Sequence, residues 1–211
     1  MNTIAVTDIK RSGAECVSVS VELQSGEQRE RHCFILFEEL FARIEVHVGA
    51  ISSDALRDIE FWSRVTDAYY SAMRSFAFTP SSFAALKVKL VGKGYERTVA
   101  DQAIEILRER GIVDECDIAL RRAEIMVGKL WGQTRILAKL REEGFGDNVT
   151  DSVCDYLEGV DMVSLCASLI DKKYGGVPSE KLQRDKLCAA LYRHGYSPSE
   201  IRLAVARVSN G

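Results

Sequence analysis

The sequence is poor in residues that break helices and in residue patterns that form metal sites or disulfide frameworks. Its 211 residues include only three prolines and fifteen glycines, which leaves little room for long loops and favours helix. Three histidines and six cysteines show no CxxC pair and no zinc-ligand spacing. We therefore expect no metal site, and free thiols rather than a disulfide framework.

Long apolar runs are also missing. The longest run without a charged residue, 75–86, is too short and too polar to span a bilayer. The first fifteen residues contain Asp8, Lys10, Arg11 and Glu15, a pattern unlike that of a signal peptide. These features predict a soluble protein of the cytoplasm, with no membrane partner.

The chain has no excess of positive charge. It carries 28 Lys and Arg against 31 Asp and Glu, a net charge of −3. Proteins that bind bare phosphates are usually more basic, because binding depends on neutralising those phosphates. Any contact with nucleic acid is therefore expected to be local, or to be made mainly through a protein partner.

Residues 1–50 are predicted to form a small β-rich segment. A strand is predicted at 4–9, and apolar residues alternate with polar ones over 17–23, which indicates a second strand. Residues 29–37 can return as a third. Three short strands would make an antiparallel meander with one apolar face, and a short helix at 38–46 is predicted to cover that face.

From residue 52 onward the sequence is helical and contains a repeat. Residues 86–95 (LKVKLVGKGY), 136–145 (ILAKLREEGF) and 187–196 (LCAALYRHGY) align without gaps. In each segment, apolar residues stand eight and four positions before the second-last residue, a glycine, and therefore lie on one helical face. The glycine is expected to end the helix in the left-handed conformation, with the aromatic residue beyond it as the capping hydrophobe. This repetition predicts tandem helix–turn–helix units.

The full prediction is a mainly α protein in which the β meander precedes three tandem three-helix units. The units span 51–111, 112–159 and 160–211, and are expected to form an elongated, curved array. The nine helices are predicted near 53–75, 80–93, 97–110, 115–130, 133–143, 147–158, 161–174, 179–194 and 197–208.

Motifs that carry catalysis are missing from the sequence. There is no GxSxG, no HExxH and no phosphate-binding loop, and Gly92-Lys93-Gly94 is interpreted as a helix end. Pairs of acidic residues stand at helix ends, where Asp114 can serve as an N-cap. We therefore predict no enzyme activity, no catalytic or cofactor-binding residues, no cofactor and no small-molecule substrate.

Basic residues form the most distinctive candidate surface. We define the basic strip as the six residues Arg121, Arg122, Lys129, Arg135, Lys139 and Arg141. In the repeat alignment Lys89 is equivalent to Lys139, and Lys186 is equivalent to Arg135. These eight residues are the candidate partner-binding set and are expected to affect binding more than folding. A solvated helix face is the alternative interpretation.

Several of these segments resemble the RecX family of bacterial regulatory proteins. Residues 111–119 (GIVDECDIA) resemble the family signature G-x-[IV]-[DN]-[DE]-x-x-[FY]-A, and 132–136 (GQTRI) and 172–174 (KKY) resemble later family segments. The resemblance covers about residues 62–208. The chain departs from the family pattern at Ile118, His194 and Tyr196.

The resemblance implies a non-enzymatic modulator of the RecA recombinase, with roles in DNA repair, homologous recombination and the SOS response. Family members bind in the helical groove of the RecA filament on single-stranded DNA, suppress its ATPase and strand exchange, and favour its disassembly. The expected partner is that filament, with a weak direct contact to DNA left open, and the chain is expected to be a monomer. Two alternatives remain: a helical protein that binds nucleic acid without RecA, and a helical scaffold for peptides.

Overall fold

The structure, a computed structural model, describes residues 2–210 and is mainly helical with a small antiparallel sheet at its N-terminal end. The strands are β1 (Asn2–Ser12), β2 (Cys16–Ser25), β3 (Gln28–Phe37) and β4 (Gly49–Ala50). Their order in the sheet is β3-β2-β1-β4, and every pairing is antiparallel. The predicted meander is confirmed. The added strand β4 has only two residues, too few to show a period in the sequence.

The apolar face of the sheet is covered mainly by a long helix rather than by the short one predicted at 38–46. Helix α1 (Glu38–Phe41) ends after one turn, and α2 (Ser53–Phe78) follows β4. Ile59 of α2 is fully buried against the valines of the sheet. The N–H of Phe37 also donates to the Thr66 hydroxyl at 3.2 Å, so α2 provides polar partners for the edge of β3.

The helical part agrees closely with the predicted helices. After α2 come α3 (Phe83–Gly92), α4 (Arg97–Glu109), α5 (Glu115–Gly128), α6 (Gln133–Glu142), α7 (Asp147–Glu158), α8 (Met162–Leu169), α9 (Lys181–Arg193) and α10 (Pro198–Ser209). Beyond residue 52, the described residues contain no strand. One feature was not predicted: α8 continues as a π-helical turn, Ile170–Tyr174.

The helix starts follow local capping chemistry. The Asp114 carboxylate accepts hydrogen bonds from the N–H groups of Cys116 and Asp117. At the start of α10, Ser197 and Glu200 form a reciprocal capping box around Pro198, as the sequence predicts. These caps satisfy N–H groups that have no partner within their own helix.

The guanidinium of Arg110 joins the end of α4 to the sheet. It forms ion pairs with Glu15 at 2.7 Å and Glu39 at 2.9 Å, and lies 4.2 Å from the centre of the Phe37 ring. It also lies over the ring of Tyr69. This side chain is mostly buried, so its contacts fix the hairpin on the helices that follow it.

Chain contacts divide the described residues into two compact units. The first contains 2–80 and 86–113, and the second contains 81–85 and 114–210. The boundary at 113/114 lies close to the sequence-based boundary at 111/112. The division into three helical units stays a prediction, and its outermost positions, 1 and 211, lie outside the described residues.

Candidate partner-binding surface

Throughout residues 2–210, no three His, Cys, Asp or Glu side chains are arranged to hold a metal ion. The six cysteines are all free. No helix in this part of the chain is both long and apolar enough to cross a membrane.

The three repeated glycines end their helices in the same way. Gly94, Gly144 and Gly195 have φ values of 93°, 86° and 96°, as predicted. The N–H of the aromatic residue after each glycine donates to the carbonyl of the leucine four positions before that glycine. In the third segment the N–H of Tyr196 donates to the carbonyl of Leu191 at 3.4 Å. This bond pattern is the Schellman cap, which satisfies carbonyls at a helix end. The sequence motif is therefore a structural terminator.

Two of these caps also contact the start of another helix in the second compact unit. The Ser82 hydroxyl donates to the carbonyl of Glu143 at 2.7 Å. Further along the chain, the N–H of Gly132 donates to the carbonyl of His194 at 2.9 Å. Ser82 and Gly132 are equivalent in the repeat alignment, as are Glu143 and His194. Equivalent positions are therefore in contact twice, through a side-chain hydroxyl before α3 and through a backbone N–H before α6.

Arg121 and Arg122 of the basic strip are neutralised locally, to different degrees. Arg121 pairs along α5 with Asp117 at 3.0 Å, and both side chains are exposed. Arg122 reaches the end of α6 and pairs with Glu143 at 2.6 Å, where the two side chains are 31% and 24% exposed. Arg122 is therefore placed to stabilise the packing of α5 on α6.

Lys139 and Arg141 also have acidic neighbours. Lys139 lies 3.1 Å from Glu142 and 3.9 Å from Glu143. Arg141 lies 3.9 Å from Asp147, and both side chains are exposed. Four of the six strip residues thus lie close to a carboxylate, whose negative charge reduces the positive potential of the strip.

Lys129, which follows the end of α5, and the two repeat-equivalent lysines differ in their surroundings. Lys129 and Lys186 are exposed and form no salt bridge with any residue between 2 and 210. Lys89 is half-buried on α3, among the residues of the first compact unit.

Arg135 belongs to a separate group of residues at the start of α6. Its guanidinium carbon lies 3.8 Å from the centre of the Trp131 ring, a cation–π contact. Its Nη1 lies 3.0 Å from Nδ1 of His194, the residue that follows α9. Arg135 is half-buried and forms no salt bridge with a described residue.

The surroundings of His194 are strongly basic. Nε2 of His194 lies 3.1 Å from Nζ of Lys173, which is in the π-helical turn. We define the basic cluster as Arg135, Lys173, Arg193 and His194. With Tyr174 and Ala190, these residues line an open cavity of about 460 Å³. No carboxylate lines this cavity in the described residues.

The electrostatics of the cluster act on His194. Its pKa is lowered from the ordinary value, first by partial burial and then by the positive charges of Lys173, Arg135 and Arg193. Burial and like charges both disfavour the protonated ring. Both effects therefore favour the neutral imidazole.

Sequence analysis identified Arg135 but missed the cluster around it. The partners Lys173 and Arg193 lie 38 and 58 positions further along the chain, beyond any helical spacing. Two signals were available, the KKY segment and His194, and both were noted only in connection with a family resemblance. Trp131 precedes the repeat segment by five positions and carries no periodic pattern.

The comparisons with known proteins agree with this fold. No protein-family model matches the chain. It is 28% identical over 137 residues to Regulatory protein RecX of Halorhodospira halophila (strain DSM 244 / SL1), covering 64% of this chain and 84% of that one. It is 30% identical over 139 residues to Regulatory protein RecX of Chlorobaculum tepidum (strain ATCC 49652 / DSM 12025 / NBRC 103806 / TLS), covering 65% and 85%.

Two solved structures share the fold. A crystal structure of regulatory protein RecX superposes with a TM-score of 0.72 at 15% identity, covering 97% of this chain and 99% of that one. RecX from Lactobacillus salivarius superposes with a TM-score of 0.60 at 17% identity, covering 70% and 98%. Together with the sequence identity to a RecX protein over most of that protein's length, these findings establish that the chain belongs to the RecX family of regulatory proteins.

Proposed function

We propose that this protein regulates the RecA recombinase by binding RecA filaments on single-stranded DNA and inhibiting their ATPase and strand exchange. The observation that carries the proposal is the 30% identity to a RecX protein over 85% of that protein's length. RecA enters as the partner through the family resemblance. The proposed role is non-enzymatic and belongs to recombination and DNA repair in the cytoplasm.

The distribution of positive charge supports a partner that presents phosphates or acidic side chains. Lys129 and Lys186 are exposed without a local acidic partner, and the basic cluster holds three cations around one histidine. A ligand of opposite charge approaches such surfaces faster and binds them more specifically. The eight residues predicted from the sequence stay the proposed partner-binding set, with Arg122 having a structural role in addition.

The direct test is the RecA ATPase on single-stranded DNA with this protein added below the RecA concentration. We expect inhibition at substoichiometric amounts, because one bound regulator can affect several filament subunits. A heat-denatured sample of the protein serves as the control. An ATPase rate that stays unchanged even at an excess of folded protein would refute the proposal.

The contribution of the exposed lysines can be tested with a matched pair of variants. Lys129→Glu/Lys186→Glu should weaken inhibition, and the loss should shrink as salt screens the interaction. Arg43→Glu/Arg74→Glu makes the same change of charge on exposed arginines that form no salt bridge with described residues. Equal loss in both variants would show that only net charge matters.

The second candidate function is binding to nucleic acid without RecA, which the basic cluster and its neighbouring aromatic rings favour. Filament dependence distinguishes the two. A RecA regulator binds RecA-coated DNA far better than either component alone. A nucleic-acid binder binds naked DNA equally well, with a steep dependence on salt.

A further inference from the structure

We propose that the basic cluster is a binding site for a backbone phosphate of single-stranded nucleic acid. The site goes beyond the proposed regulation of RecA, and it gives the second candidate function a defined location and a defined ligand group. It lies within the second compact unit, and three of its four members, Lys173, Arg193 and His194, are outside the basic strip.

The first argument is a hydrogen-bond mismatch at His194. Arg135 and Lys173 each direct a donor toward one of the two ring nitrogens, at 3.0 and 3.1 Å. A neutral imidazole has one acceptor nitrogen and one N–H, so it can accept from only one of them. The other cation then faces the ring N–H, which is a donor and cannot accept its hydrogen bond. An anion with several oxygens would provide the acceptors that these groups lack.

The second argument is charge. None of Arg135, Lys173 and Arg193 forms a salt bridge with a residue of the described chain, in contrast to four residues of the basic strip. All three side chains line a cavity of about 460 Å³ that is open to solvent. A phosphate neutralises such a group of cations and accepts several hydrogen bonds from Arg at once.

The aromatic residues around the cluster favour nucleic acid over an acidic protein surface. The Trp131 ring lies against the Arg135 guanidinium, and the Tyr174 ring lies 5.6 Å from Nζ of Lys173. Single-stranded nucleic acids bind where cations follow the backbone and aromatic rings stack on the bases. An acidic peptide would use the cations but not the rings.

The backbone holds the cluster in place. Gly132 and Gly195 pack so closely that Arg135 and His194 are brought side by side. Lys173 is presented by a π-helical turn, a local irregularity that is frequent at functional sites. The site is therefore built largely from helix ends fixed by backbone contacts, so little ordering is needed when a ligand binds.

The test is fluorescence anisotropy of a labelled oligothymidylate of about 15 nucleotides, in the absence of RecA. We expect Lys173→Gln/Arg193→Gln to weaken binding about tenfold or more, and to lower the salt slope by about 0.7 for each phosphate that the variant no longer neutralises. Arg43→Gln/Arg74→Gln is the control and should bind like the parent protein. Circular dichroism should show both variants folded, since removing like charges relieves repulsion.

Three results would overturn the proposal. The first is that the parent protein does not bind the oligonucleotide at low salt. The second is that the two variants lose the same affinity for it. The third is that poly-glutamate competes as strongly as unlabelled oligothymidylate. The last would assign the cluster to an acidic protein partner. Because RecA is absent from this assay, its failure leaves the ATPase test of the proposed function unaffected.

Discussion

Gly132 and Gly195 pack backbone against backbone in the second compact unit. A Cβ on Gly132 would lie 2.3 Å from the carbonyl carbon and oxygen of Gly195, and a Cβ on Gly195 would lie 2.5 Å from the backbone nitrogen of Arg135. No side chain fits at either position. The contact joins the end of α9 to the start of α6 and thereby places His194 beside Arg135.

This close approach predicts that Gly195→Ala will be much more destabilising than Gly94→Ala. Both glycines have positive φ, which costs alanine about 1–2 kcal/mol. Only Gly195 adds a backbone clash, because a Cβ on Gly94 meets nothing within 4 Å. We expect a further loss of about 1–3 kcal/mol in the free energy of unfolding for Gly195→Ala, measured by urea denaturation.

A third glycine provides the control for that experiment. Gly128 is exposed at the end of α5, has no positive φ, and leaves open space for a Cβ. Gly128→Ala should be neutral or should stabilise the protein by up to about 1 kcal/mol. If Gly94→Ala and Gly195→Ala lose the same stability, the backbone contact between Gly132 and Gly195 does not exclude a side chain at the helix end.

The repeat register predicts the effect of truncating Leu140. This residue stands four positions before Gly144 and is 0% exposed, whereas Leu203 of α10 is 59% exposed. Leu140→Ala should lower the free energy of unfolding by about 2–5 kcal/mol, because it removes buried methyl groups and leaves a cavity. Leu203→Ala should change it by no more than about 0.5 kcal/mol. Similar thermal stability of the two variants would contradict the assigned face.

The residues that sequence analysis identified correctly are those whose role depends on nearby residues. Leu140 and Leu191 could be assigned to the core because a helical face repeats every three to four positions. Gly144 could be assigned as a cap because the chemistry of a helix end is local. Such features depend on a few neighbouring positions, so a single sequence contains them.

The basic cluster could not be predicted because it depends on tertiary approach. Lys173 and His194 are 21 positions apart and lie on different helical segments, so no helical spacing encodes their contact. The role of Gly132 likewise exists only through Gly195. The basic strip shows the reverse: its residues are close in sequence, but Arg135 contacts a different set of neighbours from Arg122.

The ion pair between Arg122 and Glu143 changes what charge reversal should do. From the sequence, the residues of the basic strip are expected to affect binding more than folding. Because this pair is 2.6 Å long and mostly buried, we expect Arg122→Glu to lower the free energy of unfolding by about 1–3 kcal/mol. The swap Arg122→Glu/Glu143→Arg should recover part of this stability, as measured by urea denaturation.

Arg121→Glu is the matched control for Arg122→Glu, because it also turns an ion pair into two like charges. Arg121 and Asp117 are exposed, so the expected loss is about 0–1 kcal/mol. Filament inhibition by the Arg122 variant should be interpreted only with this stability measured. Equal stability of the two variants would show that Arg122 has no structural role in addition to its proposed contact with a partner.

The electrostatics of His194 predict a defined pH dependence. Its pKa is lowered in the folded protein by burial, Lys173, Arg135 and Arg193, whereas a histidine in the unfolded chain titrates near about 6.5. As the pH falls, the unfolded chain therefore takes up this proton first. The stability that depends on a neutral His194 is fully present above about pH 6.5 and is lost as the pH falls toward the lower, folded pKa. Between about pH 7.5 and about pH 5.5, the parent protein should lose more stability than His194→Gln, and NMR titration of the ring should give a pKa below about 6.5.

A bound phosphate at the basic cluster favours the protonated ring of His194. A saturating oligonucleotide should therefore raise the pKa of that ring, and by reciprocity binding should tighten as the pH falls. A folded-state pKa at or above the ordinary value would show that the three cations do not act on the ring as the geometry requires.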